Sequence, residues 1–138
     1  MGLRICIYCG DNHALNVPLP GEGGMTFAGV FAIVVGVGMI AQWLASYLSN
    51  QIPELKTEPI RIAFHLAAEL LTAVLLIVGG AAVLAGASWG RDVYLIALGM
   101  LFYTAIVSPG YFAQQGQWAW LGIFGALLVL GIVSGLTI

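Results

Sequence analysis

The chain has 138 residues, of which 61% are hydrophobic and only 7% charged, with a net charge of −2. Soluble domains carry about 25% charged residues, and a water-soluble fold of this length has too little interior for so much apolar surface; a mean hydropathy of +1.02 excludes one and makes the bilayer part of the solvent. The four basic residues, Arg4, Lys56, Arg61 and Arg91, are scattered, so no basic patch exists for nucleic acid or anionic headgroups.

Residues 1–24 read as a tail rich in glycine and proline, with little periodicity and without the basic start and apolar core of a signal peptide. Met25 directly precedes the first apolar run and offers an alternative start, in which case 1–24 are non-native or an upstream extension. Cys6-Ile7-Tyr8-Cys9 is a C-x-x-C. A redox pair of that spacing needs a thioredoxin-like surround that is missing here. As a zinc half-site it lacks a second pair, although Asp11 and His13 follow. An inert, disordered or non-native tail is the default, with a Cys6/Cys9 redox role as the alternative.

A spanning helix needs roughly 20 apolar residues, and residues 25–138 supply four such runs, continuously apolar rather than alternating as in a barrel. The first is expected over about 26–48. It carries Ala28, Ala32 and Gly36 at small-residue spacing, Gln42 roughly 10 Å from its end at 1.5 Å per residue, and Trp43 and Tyr47 as interfacial aromatics. The connector at 50–59, NQIPELKTEP, is a surface loop with Thr57 or Glu58 as helix cap and Pro59 in the first turn.

The second span is expected over about 60–86. Glu69 is the one charged residue that falls well inside a run, where a charge costs on the order of 3 kcal/mol and demands a partner, a cavity or a proton. Arg61, His65 and Glu69 recur at i, i+4 and i+8 and share a face, which Thr72 extends. Glu69 lies roughly 13 Å from the helix start, near the depth of Gln42. The last part of this span is small and apolar, with Ala82 and Gly86 spaced for close packing. After the turn at 87–91, marked by Trp89, a third span is expected from 92 to 108, or kinked at Pro109 and continuing to 115. It brings Tyr103, Thr104 and Ser108 to the same side. The fourth span, about 118–136, opens on Trp118 and Trp120 and contains Gly131-x-x-x-Gly135. Short connections make the whole an antiparallel up-down, all-α four-helix membrane bundle.

One leaflet is thus expected to hold a polar cluster of Gln42, His65, Glu69, Tyr103 and Thr104, with Arg61 at its edge, and the other almost nothing polar. Buried polar groups in bundles often only fix helix register. A functional reading makes the cluster a transport, proton-binding or small-ligand site, with Glu69 taking the proton or ligand charge. A metal pair of His65 and Glu69 is an alternative with two ligands where about four are needed. No catalytic motif, cofactor site or inverted repeat is visible, so an enzyme and a cofactor are not expected. The other readings are a structural or accessory subunit that packs against partners or lipids through glycine faces, and a small redox or metal protein. The Gly/Ala faces favour a homo-oligomer, because four short helices leave little room for an enclosed pathway. Basic residues divide two against two between the faces, or two against one if Met25 starts the chain, which places the first loop in the cytoplasm. The segment RIAFHLAAELLTAVLLIVGG is similar to prokaryotic membrane proteins in look, which sets the expectation of an inner or cytoplasmic membrane and implies no function.

Overall fold

The computed structural model describes residues 21–50, 52, 54–114, 116 and 118–138. Cys6, Cys9, Asp11 and His13 lie outside the described residues. The fold is all-α: α1 (Glu22–Leu48), α2 (Glu54–Thr57), α3 (Pro59–Leu84), α4 (Gly90–Gln114) and α5 (Trp118–Leu136). All but the single-turn α2 are long and apolar enough to cross a membrane, and together they form a four-helix bundle. The chain is a multi-pass membrane protein.

The helix ends follow local chemistry. α1 begins four residues before the expected position, because Gly21 is extended and its carbonyl accepts the Gly24 and Met25 amides. Asn50, at φ 51, closes α1 in the left-handed conformation that Asn tolerates. Pro59 sits in the first turn of α3, where its missing N–H is no loss. α3 stops at Leu84, two residues short of expectation. Gly86 at φ +68 lets its own amide reach Val83 and that of Ala87 reach Ala82, a Schellman closure. α4 runs through Pro109 to Gln114 rather than ending at Ser108. The one-turn α2 within the first connection had no sequence signal.

Each spanning helix packs on its chain neighbours, in the order α1, α3, α4, α5, with α5 returning to α1 over a short length. The cross-helix pairs run in opposite directions and make every neighbour antiparallel. A Cβ on Gly29 would meet the carbonyl of Gly80, and one on Gly36 that of Ala73. One on Gly79 would meet the backbone of Tyr94, and one on Gly90 that of Ala82. Helix association in lipid rests on close van der Waals packing rather than on a hydrophobic drive, so these backbone approaches are what hold α1, α3 and α4 together.

Gly131 and Gly135 face Phe102 and Leu98 of α4. The G-x-x-x-G face is therefore occupied within the chain.

The core, with Phe31, Leu76, Val83, Tyr94 and Leu98, lies in the half of the bundle where α3 turns into α4. There Thr137 Oγ1 donates to the Ser134 carbonyl at 2.8 Å and stands 3.4 Å from the Gly24 carbonyl, which brings the end of α5 beside the start of α1. Tyr94 and Ser134, both fully buried, share a hydroxyl–hydroxyl bond of 2.5 Å between α4 and α5. This corrects the expectation of a leaflet with almost nothing polar. Val34, Leu71, Val74, Ile106, Val129 and Ile132 point outward. An exposed apolar girdle of this extent belongs in acyl chains.

Candidate functional site

The opposite half of the bundle is not filled. Between the four spans lies a cavity of about 910 Å³, on the side of the α1–α3 connection and the α4–α5 turn. Met39, Leu101 and Leu127 line its depth, and Ile52, Glu58, Arg61 and Gly110 its mouth. Below it the small residues Ala73 and Gly36 bring α3 and α1 into backbone contact. The bundle is thus clamped by glycines at one end and splayed around a chamber at the other.

Glu69 lines this chamber with its side chain only 9% exposed. Trp43 on α1 and Ser108 on α4 line the chamber with it, so polar side chains of three helices converge there. The His65 Nε2 atom stands 4.0 Å from Oε1, one helical turn toward the mouth. That is too far for a hydrogen bond but close enough for a favourable interaction when the imidazole is protonated. The His65 ring meets Trp43 edge-on, with centroids 5.8 Å apart. Among the described residues, the ion-pair partner within 4.0 Å of the acid is His65 rather than a Lys or Arg. A carboxylate so placed is costly unless hydrogen-bonded or paired.

The opposite wall is aromatic. Phe112 and Trp120 stack at 5.0 Å, and Phe124 closes the group at 5.9 Å from Phe112 and 6.3 Å from Trp120. Trp120 and Phe124 are one turn apart on α5 and present one face. All three line the cavity.

The residues singled out in the sequence separate on this frame. His65, Glu69, Thr104 and Arg61 do line the cavity, and Gln42 contributes to its wall while remaining solvent- or lipid-exposed. Thr104 is buried, but its hydroxyl is given to the Leu101 carbonyl at 2.9 Å. Thr72 likewise donates to its own helix, to Ala68, and is not part of the lining. Arg61 forms an exposed ion pair with Glu58 at 2.6 Å at the mouth. Tyr103 is the correction: it is 69% exposed on the outside of α4 and takes no part in the cluster. One residue along a helix is a 100° rotation, and here Thr104 takes the inward position.

Ser108, expected on this side, lines the cavity, and the lining residues that polarity alone missed are Trp43, Phe112, Trp120 and Phe124. Trp43 and Trp120 carry the signature of interfacial aromatics, yet both turn inward. The i, i+4 spacing of Trp120 and Phe124 was the available signal. As for metals, no group of three or more His, Cys, Asp or Glu gathers among the described residues, so His65 and Glu69 gain no third ligand there.

A family model described as a domain of unknown function (DUF8058) matches residues 25–138. No curated protein and no solved structure matches the chain.

Proposed function

We propose that this chain, which belongs to the DUF8058 family, is a transport or small-ligand-binding module whose site is the chamber around Glu69. The observation that carries this reading is a nine-tenths-buried carboxylate inside a cavity of about 910 Å³. A residue kept only to fix register would be packed on all sides, because voids forfeit contacts and are costly. This acid instead borders a space in the size range of small-molecule sites, about 300–1,000 Å³. Trp43 of α1 and Ser108 of α4 line the same space, so a change in its charge is felt by α1 and α4 together. Occupation of Glu69 by a proton or a ligand charge then alters how the splayed half of the bundle packs.

Trp43 reports on the site, since it lines the chamber with Glu69 and its ring meets that of His65 edge-on. In purified protein reconstituted in vesicles, tryptophan emission is expected to change with pH in the native chain. The change should persist in His65→Gln and vanish in Glu69→Gln. A transition that survives in Glu69→Gln and disappears in His65→Gln would refute the assignment of Glu69 as the group that binds.

A further inference from the structure

Resting on the binding reading above, we infer that the ligand of the chamber is an amphiphilic organic monocation, an alkyl or aryl ammonium-type ion. Three features of the cavity select it. The first is charge. Among the described lining residues, Arg61 is already paired with Glu58 at the mouth, which leaves within the chamber one carboxylate, Glu69, with the His65 imidazole 4.0 Å away as the group able to offset it. An anion would be brought against that carboxylate. A neutral ligand would exclude water from it and return nothing, since desolvated charges require compensation.

The second is the aromatic content. Phe112, Trp120 and Phe124 are grouped on the side of α4 and α5, and Trp43 stands on α1 beside the acid. Aromatic faces attract cations through the ring quadrupole. They also supply apolar contact area for a hydrophobic body.

The third is the shortage of oxygen. A bare metal cation needs about six oxygen ligands, and Thr104 has committed its hydroxyl to Leu101. Among the described lining residues the other hydroxyls are Ser46 and Ser108, too few to complete such a shell, so a small inorganic ion would enter poorly solvated. An organic cation carries its own apolar surface and needs one counter-charge. A single carboxylate makes the favoured ligand singly charged. Removal of one aromatic face still leaves the charge, so affinity should fall while preference for the cation persists.

The test uses two probes of nearly the same shape and opposite charge, tetraphenylphosphonium and tetraphenylborate, with the full chain in nanodiscs. Binding is read from tryptophan quenching against empty nanodiscs. The expected result is a preference for the cation of at least about tenfold, which is about 1.4 kcal/mol. Glu69→Gln should erase that preference. Trp120→Leu should weaken cation binding about three- to tenfold while keeping its sign.

Equal binding of both ions, a preference for the borate, or a preference that persists in Glu69→Gln overturns the inference. Absence of saturable binding by either ion also overturns it. Each of these outcomes leaves the pH response of Glu69 as a separate measurement, so the broader binding reading stands or falls on its own. If Glu69→Gln does not fold, Trp120→Leu decides: unchanged cation affinity refutes the proposal.

Discussion

The clamp between α1 and α3 makes a quantitative prediction. A Cβ at Gly80 would stand 2.7 Å from the Gly29 carbonyl oxygen, where ordinary contact begins at 3.4 Å, so about 0.7 Å must be found. At Gly36 the obstacle is the Ala73 carbonyl at 2.6 Å. Both obstacles are backbone, which no side-chain rotation can relieve. Overpacking of this kind costs about 1–3 kcal/mol, while alanine returns up to about 1 kcal/mol of helix propensity. The clean comparison is therefore with Gly38→Ala, which gains the same propensity and meets nothing within 4 Å. Gly80→Ala and Gly36→Ala should each be less stable than Gly38→Ala by about 1–3 kcal/mol.

The two sites lie about 10 Å apart along the helices, a distance at which effects usually add. Here one outward shift of α1 relieves both clashes, so the double variant should lose less than the two single losses combined. Reversible unfolding in mixed micelles, followed by circular dichroism, measures all four variants. If Gly80→Ala and Gly36→Ala matched Gly38→Ala, the close crossing of α1 and α3 would be refuted. Strict additivity would leave the crossing but refute its rigid-body relief.

Other predictions concern the remaining contacts. Tyr94→Phe should cost about 0.5–1.5 kcal/mol, the range of interhelical hydrogen bonds in bundles. Its loss should be coupled to that of Ser134→Ala in a double-mutant cycle, and zero coupling would show that the two hydroxyls do not share a bond. Tyr103→Leu should leave the tryptophan pH response and probe binding within twofold (about 0.4 kcal/mol) of the native chain, because the side chain is on the outer surface. A loss of binding in that variant would contradict the inward placement of Thr104.

The spans and the depth of Glu69 were legible because they depend on run length and on rise per residue, both insensitive to packing. The shared face of Arg61, His65 and Glu69 follows from helix periodicity alone. What was not legible is which way each helix turns about its axis. In a soluble helix the apolar stripe reveals the buried face. In this chain lipid and core are equally apolar, so the stripe is faint. The turn is set instead by Gly29 and Gly36 on α1, which seat against Gly80 and Ala73. That seating presents Trp43 to Glu69 and leaves Gln42 exposed, a one-residue difference that polarity could not resolve. On α4, Tyr103 turns outward while Thr104 stays inward as expected. Trp120 has the sequence signature of an interfacial anchor, because an amphipathic ring looks alike in either role. The Tyr94–Ser134 bond gives no sequence signal, because Ser134 is a lone serine among the aliphatic residues and glycines that end α5.

The central claim is that Glu69 lies in a chamber open to one membrane face and closed to the other. Ser108→Cys tests it, since Ser108 lines the cavity with Glu69. With Cys6 and Cys9 replaced by serine, a membrane-impermeant thiol reagent should label Ser108→Cys from the face bearing Lys56 only. Ala97→Cys, in the closed core, should remain unlabelled from either side. Protection of Ser108→Cys from both faces, or equal labelling from both, would contradict the account.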